Sequence, residues 1–297
     1  MASPALFLVS TPIGNLSDMT RRAVDVIRGA DVVFAEDTRR TGVLLRHYGI
    51  EARLISAHEH NEAARAELVV ELLGEGKRVA MVSDAGTPLL SDPGARVVRS
   101  ALEAGYDVVP VPGPSALLAA LVASGIGADR FTFYGFLPRK GGPREEVLGE
   151  IATSRHTAVI YESPQRLGAL LGDLARAAGA DRRVAVAREL TKMHEEIVRL
   201  TLQEAAEAFR EREVRGEIVV VVEGGVETRA DPEDPAPRVM AEALLAQNVA
   251  PSAVAKQLRE SLKISRNDAY DLVQRLAGEA DGRSGAAAEQ LGAPDPT

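Results

Sequence analysis

RVAMVSDAGTPLLSDPGARVVRSALEAGYDVVPVPGPSA, residues 78–116, reads as one strand–loop–helix–strand unit. Residues 78–82 are an apolar, β-branched run. Asp92-Pro93-Gly94 then opens a helix, with Asp92 suited to the N-cap and Pro93 to the first helical position. Gly105 suits the position just past the helix end. Residues 107–111 form the next strand, and Pro112-Gly113-Pro114 turns out of it. Short strands alternating with helices of about 10–15 residues predict parallel α/β units.

The alternation continues in both directions. Upstream lie strands at 6–10, 32–35 and 53–55 and helices at 16–28, 38–47 and 61–73. Downstream lie a helix at 115–124, a strand at 130–134, a helix at 145–153, a strand at 157–161 and a helix at 164–178. A strand at 184–187, an extended stretch at 196–202, a helix at 204–212 and an apolar strand at 216–222 follow. The adjacent strand signals near 184–202 predict a mixed sheet in this half. ETRADPEDPAPR, residues 227–238, reads as a linker. Three short helices are expected at 239–246, 251–262 and 265–276, and the Gly/Ala/Pro/Asp-rich end is expected to be disordered. The expected division is an α/β domain at 1–113, a second at 114–226, a linker at 227–238, a small helical extension at 239–277 and a tail at 278–297.

Composition narrows the chemistry. The 297 residues contain no cysteine, which removes disulfides, thiol nucleophiles, Cys-ligated zinc and iron–sulfur clusters. The net charge is −8 despite 35 basic residues, all but five of them arginine. That balance argues against indiscriminate phosphate binding and leaves room for a local basic face. The N-terminal MASPALFLVSTP lacks a basic leader region, and no stretch approaches the ~20 apolar residues of a membrane span. The expected location is cytoplasmic, with no membrane partner.

Glycines and prolines gather where strands end: Ser10–Asn15, Ser83–Pro88 and Val111–Ala116. Ligands of open α/β sheets sit beyond the carboxyl ends of the strands, so three such loops can floor one pocket. None is a phosphate cradle, because neither G-x-x-x-x-G-K-[ST] nor a strand-linked G-x-G-x-x-G occurs. Two polar segments accompany them, AEDTRR at 35–40 and SAHEHNE at 56–62. His58, His60 and Glu62 are metal-ligand types, yet H-x-H spacing alone does not make a metal site; an acid/base or substrate-contacting cluster and a plain surface loop capped by Asn61 are the other readings, and no metal is expected. FTFYGFLPRKGGPR, residues 131–144, interleaves aromatics with Arg139, Lys140 and Arg144, a composition suited to RNA. Alternation within its strand places Phe131 and Phe133 in the core. Arg188 and Glu189 read as a structural ion pair.

Nine segments in order resemble one family: VSTPIGNLSDMT, AEDTRRTGVLLRHYGI, SAHEHNE, VSDAGTPLLSDPG, VPGPSA, FYGFLPRK, YESPQRL, ARELTK and RGEIVVVVEG. Over residues 6–224 the chain resembles the bacterial ribosomal RNA small-subunit methyltransferase I family of the tetrapyrrole-methylase superfamily. The resemblance implies two α/β domains with a cofactor cleft between them, plus the helical C-terminal extension. It implies S-adenosylmethionine as cofactor and 2′-O-methylation of a cytidine ribose in the decoding region of 16S rRNA in the small subunit, by a homodimer. Cofactor contacts then fall on Ile13, Asp84, Thr87, Pro88, Ser115 and Ala116 of the first domain. In the second they fall on Glu162, Glu189, Gly216 and Glu217. The sequence departs from other superfamily members at Ser10 and Ser83, where those members have glycine.

A ribose hydroxyl is weakly acidic, so a general base helps by ~10²–10⁴-fold. His60, Glu62 and Asp37 are the candidates, and the resemblance does not choose among them. Arg39, Arg40, His58, Asn61, Arg139, Lys140 and Arg144 are the expected RNA contacts. Ser252, Lys256, Arg259, Lys263 and Arg266 lie on the helix-turn-helix-like extension, which suits docking to RNA or capping a dimer. The alternatives are a corrin-precursor methylase of the same superfamily and a non-enzymatic RNA-binding module.

Overall fold

The computed structural model describes residues 4–225, 235–247, 249–262, 264 and 267–277. The chain divides into two units, Met1–Gly225 and Val226–Thr297.

The first unit contains two five-stranded sheets. The first sheet is built from β1 (Ala5–Val9), β2 (Val32–Ala35), β3 (Leu54–Ser56), β4 (Val79–Val82) and β5 (Asp107–Val111). Its order is β3-β2-β4-β1-β5 and every pairing is parallel. β2 and β4 are buried throughout, as strands covered on both faces must be. α1 (Arg21–Arg28), α2 (Thr38–His47), α3 (Glu62–Gly74) and α4 (Ala95–Glu103) connect these strands. They cover both faces in two apolar clusters, one around Phe34, Val69 and Leu73, the other around Ile27, Leu45 and Val33. Thr20 caps α1 by accepting from Ala23 N at 3.1 Å.

The start of α4 differs from the expectation. Asp92 and Pro93 precede the helix, which begins at Ala95 with Gly94 as N-cap at φ +127°. A Cβ at Gly94 would press on Met81, and the φ itself favours glycine. The missing cap comes from another helix: Glu62 Oε1 accepts from Gly94 N at 2.9 Å and from Arg96 N at 2.8 Å. Asp92 is thereby left free to face elsewhere. Gly105 does end α4, at φ +81°.

Pro112-Gly113-Pro114 leads into α5 (Ala116–Ala123), capped by Ser115 and packed against the second sheet. That sheet contains β6 (Phe131–Phe136), β7 (Thr157–Glu162), β8 (Arg183–Arg188), β9 (Glu196–Thr201) and β10 (Ile218–Val222), ordered β6-β7-β10-β8-β9. Only β6 and β7 run parallel; β10 is antiparallel to both neighbours and β9 antiparallel to β8. The mixed sheet matches the expectation. α6 (Gly142–Thr153), α7 (Leu167–Ala178) and α8 (Leu202–Ala208) cover the face away from α5. Leu167, Leu170, Leu171 and Leu174 of α7 are fully buried there. Truncating any one to alanine costs about 2–5 kcal/mol. α8 starts two residues before the expected 204, because Thr201 and Glu204 form a capping box that fixes its start, and it ends at Ala208 with Phe209 as C-cap.

Phe133 is partly buried against the core, whereas Phe131 is 38% exposed. The reason is topological: β6 is an edge strand, and periodicity does not show whether an edge will be covered. Arg144 departs further from expectation. It lies in the first turn of α6, is buried, and donates from Nε and Nη2 to Asp173 Oδ2 at 3.0 and 2.8 Å. Its guanidinium is taken up by Asp173 within the fold rather than presented at the surface. Arg188 pairs with Glu196 at 2.6 Å and Glu189 with Lys192 at 2.8 Å, so the expected Arg188–Glu189 pair does not form.

The second unit holds α9 (Pro235–Ala246), α10 (Pro251–Leu262) and a helix at 267–277 around a core of Val254, Leu258, Leu272 and Val273. α9 starts four residues before the expected 239, inside the expected linker, because prolines in a first turn lose no hydrogen bond. The tail at 278–297, most of the linker, Lys263 and Arg266 lie outside the described residues. Ser252, Lys256 and Arg259 are exposed on α10. No helix among the described residues is long and apolar enough to cross a membrane.

Candidate functional site

The carboxyl ends of β1, β4 and β5 lie side by side, and hydroxyl groups tie their loops together. Thr11 and Gly86 exchange backbone hydrogen bonds at 2.9 and 3.0 Å. Thr11 Oγ1 donates to Ser83 O at 3.1 Å, and Ser83 Oγ to Gly86 O at 2.9 Å. Ser10 Oγ donates to Thr87 Oγ1 at 3.2 Å, and Thr87 Oγ1 to Pro114 O at 3.2 Å. A Cβ at Gly113 would stand 2.9 Å from the Ser10 Cβ, so glycine is required beside this serine. Ser10 and Ser83 thus fasten the loops from within.

These loops floor a cleft of about 460 Å³, inside the range of small-molecule sites. Ile13, Asp84, Thr87, Ser115 and Ala116 line it from the first sheet's side, and Glu162, Gly216 and Glu217 from the second sheet's side. Pro88 is buried behind the lining and Glu189 stands behind Gly216. Ile13, Leu190, Ile218 and Val219 supply an apolar wall. Residues with positive φ other than glycine, among the described ones, all lie in two loops of this region: Leu89 and Ser91, and Glu189 and Thr191. Such strain persists where surrounding contacts enforce it, and it gathers at functional sites.

One wall is acidic. Glu36, Asp84 and Asp92 line it with Arg40, whose Nη1 lies 3.4 Å from Asp84 Oδ2. Burial, then the charges of Glu36 and Asp84, push the Asp92 carboxyl up to about 6. Glu36 is also raised, first by burial and next by Asp84. Asp84 Oδ1 accepts from Asp37 N at 3.0 Å. Opposite, Glu162 is buried at 2% exposure; its Oε1 accepts from Ser163 N at 2.8 Å. Its Oε2 lies 3.3 Å from Arg166 Nη2 but outside hydrogen-bond geometry, leaving a buried acceptor unsatisfied. Tyr161 beside it packs edge-on against Phe133 and Phe136 at 4.8 and 5.7 Å.

The expected acid/base cluster does not line the cleft. Glu62 caps α4. Asp37 caps α2 and grips Arg39 at 3.0 and 2.7 Å, and that hydrogen bonding holds its carboxyl well below the usual range. His60 is exposed, with its ring 5.9 Å from that of His58. Asn61 is engaged within its own turn: it accepts from His58 N at 2.9 Å and donates to Ser56 O at 3.2 Å. Among the described residues no group of three metal-ligand side chains forms. Of the expected RNA contacts, Arg39, Arg139 and Lys140 are exposed, and Arg40 borders the cleft. Glu36, Phe136 and Tyr161, and Asp92 in any role but a helix cap, are among the cleft residues that the sequence did not single out. For Glu36, Asp92 and Phe136, adjacency to a motif residue (Asp37, the SDPG run, the Arg139 loop) was the available signal.

Residues 5–206 match the family model described as Tetrapyrrole (Corrin/Porphyrin) Methylases. The chain is 44% identical over 278 residues to the ribosomal RNA small subunit methyltransferase I of a Synechocystis species, covering 93% of this chain and 99% of that one. It is 44% identical to the protein of the same name from Escherichia coli O157:H7, over 89% of this chain and 93% of that one. Among solved structures it resembles cobalt precorrin-4 methyltransferase, with TM-score 0.56 and 22% identity over 74% of this chain and 94% of the other. It also resembles the uroporphyrin-III C-methyltransferase of Thermus thermophilus, solved with S-adenosyl homocysteine, with TM-score 0.54 and 21% identity over 74% and 97%. At those identities the solved structures speak to the fold.

Proposed function

The chain belongs to the tetrapyrrole methylase family and, within it, to the ribosomal RNA small subunit methyltransferases I, and from that premise we propose that it methylates the 2′-hydroxyl of a cytidine in the decoding region of 16S rRNA. It is a small-subunit rRNA methyltransferase, and its cofactor is S-adenosylmethionine. The observation that carries the finer reading is the 44% identity maintained across 93% of the chain. Cytoplasmic location and a homodimer belong to the same proposal.

The cleft fits the cofactor on its own features. Three fastened loops offer backbone groups, Ile13, Leu190, Ile218 and Val219 offer an apolar wall, and the unsatisfied Glu162 Oε2 awaits a hydroxyl or ammonium donor. When bound there, the cofactor supplies a methyl on a sulfonium; transfer breaks its C–S bond, forms a C–O bond to the ribose and releases the hydroxyl proton. The floor loops would hold the cofactor against the cleft's apolar wall, and positioning of this kind provides much of the acceleration. Asp92 takes the proton. It lines the cleft, and burial with the charges of Glu36 and Asp84 raises its carboxyl to about 6, toward the optimum for a general base. Glu62 and Asp37 are already engaged as helix caps, so Asp92 displaces both, and displaces His60, in this assignment.

The test uses labelled S-adenosylmethionine with small subunits from a strain lacking this enzyme, beside naked rRNA and a corrin precursor. Label at one cytidine ribose of the subunit rRNA is expected. Label on the macrocycle with none on the subunits would establish the corrin reading instead.

A further inference from the structure

Two large apolar side chains remain exposed while bordering the cleft: Phe136 at 57% and Leu90 at 37%. Neither is needed to fill a core. Phe136 ends β6, just beyond a register shift between Phe133 and Gly135. Bulges of this kind re-aim a side chain and recur beside active sites. Gly135 has φ +59°, and a Cβ there would lie 3.1 Å from Ser91 Oγ. The bulge therefore touches the strained Leu89–Ser91 turn of the first sheet. Phe136 and Leu90 each sit one residue from that contact, so together they flank the cleft's mouth.

The strand is also clamped on the far side of Phe136. Arg166 Nη2 donates to Leu137 O at 2.9 Å, and Arg144 Nη1 donates to Pro138 O at 3.1 Å. Tyr161 supports the Phe136 ring edge-on. Directly after the clamp come Arg139 and Lys140, both exposed. A rigid, solvent-facing aromatic followed within four residues by two free cations matches the physics of single-stranded RNA binding, in which rings stack on bases and cations meet the backbone.

Resting on the rRNA reading above, we propose that Phe136 is the stacking platform for a base of the single-stranded target segment, with Leu90 bordering the same mouth and Arg139 and Lys140 holding the adjacent phosphates. The role is substrate positioning. Phe136 also borders the cleft assigned to the cofactor, so RNA turnover and cofactor affinity are read separately to assign its role.

The experiment compares Phe136→Ala, Phe136→Leu, Phe136→Tyr and Phe136→Trp in steady-state methylation of unmethylated small subunits. Cofactor affinity is measured in parallel by calorimetry with S-adenosylmethionine alone. Ala and Leu are expected to lower kcat/KM for subunits about 10- to 100-fold, the range of one lost base stack. Tyr and Trp stay within about threefold of the parent, and cofactor affinity stays within about threefold in all four. A Leu variant as active as the parent overturns the proposal, as does a parallel loss of cofactor affinity. If the parent itself leaves the subunits unmethylated, the rRNA reading falls, and this proposal falls with it.

Discussion

The first sheet meets the cleft with loops, and the second meets it with strand ends. On the first side Ser10, Thr11, Ser83, Gly86, Thr87 and Pro114 satisfy one another, so the floor is complete without a ligand. On the second side the groups are rigid yet unfinished. Glu162 and Thr191 each keep a buried side-chain oxygen without a hydrogen-bond partner, and Phe136 keeps an exposed ring. The parallel sheet thus provides a preorganised base, and the mixed sheet provides groups whose partners arrive with cofactor and substrate. Backbone geometry should therefore dominate mutational effects on the second side, and hydrogen-bond loss those on the first.

The sharpest way to break this contrast is Gly216→Ala. Gly216 has φ +90°, and a Cβ there would run into the Glu189 carboxylate, itself held by Lys192 and by Glu217 N. Strain of about 1–3 kcal/mol from φ alone adds to displacement of Glu189. The expected result is a loss of at least about 100-fold in kcat/KM, with weakened cofactor binding by calorimetry. Near-normal activity would show that the second side tolerates backbone change, and the contrast would fail.

Asp92→Asn comes next. As proton acceptor, Asp92 must be ionised, so the parent's rate should fall as pH drops below about 6; the variant should lose about 100-fold in kcat together with that acid limb. Its effect on stability has the opposite sense. The carboxyl is raised from 3.8 to about 6 in the fold, so the folded state holds its proton longer than the unfolded chain. That contribution is complete below about 4 and is lost as pH rises through about 6. The amide removes the cost of the buried charge, so above pH 6 the variant should melt higher than the parent. The gain is on the order of 1 kcal/mol after discounting for solvent screening. A melting point lower than the parent's at pH 8 would contradict the assigned burial.

What the sequence reveals about this contrast is uneven, for a physical reason. Strand ends in the parallel sheet are legible because turn geometry demands glycine and proline locally, as at Gly86 and Gly113. The helix at 38–47 is legible to the residue because its cap, Asp37, is local too. The features misread are those whose partners are remote in sequence. Arg144 reads as an RNA contact until Asp173, on the next helix, claims it. Glu62 reads as a candidate general base until the start of α4 claims it. Asp92 reads as a helix cap because nothing local shows that Glu62 fills that place. The exposure of Phe131 and Phe136 depends on β6 being an edge strand, which alternation cannot tell.

Glu62→Ala tests that misreading directly and should act through stability. It removes the acceptor from Gly94 N and Arg96 N, two helix-start donors. Loss of such a cap costs about 1–2 kcal/mol. For a chain of this size that lowers Tm by roughly 2–8 °C. Because α4 follows the loop carrying Asp92, kcat should fall only severalfold. A drop of ~10² or more at unchanged Tm would return Glu62 to the role of base.

The smallest effect is expected at Ser83→Ala, and it isolates the first side. The hydroxyl donates to Gly86 O, which also accepts from Thr11 N, so its removal leaves no carbonyl without a donor. Ser83 O still receives Thr11 Oγ1. The loss is therefore one net hydrogen bond, about 0.5–1.5 kcal/mol, with no buried group orphaned. Cofactor affinity should weaken by less than about tenfold, and the acid limb should move to somewhat higher pH, since the Ser83 hydroxyl lowers the Asp92 carboxyl by hydrogen bonding while Glu36 and Asp84 stay in place. The redundancy lies in the crossed Thr11–Gly86 pairing, which holds the loops even when a tie is cut. If Ser83→Ala instead matched Gly216→Ala in severity, the floor would depend on single contacts as heavily as the strand ends do, and the two sides of the cleft would differ only in composition.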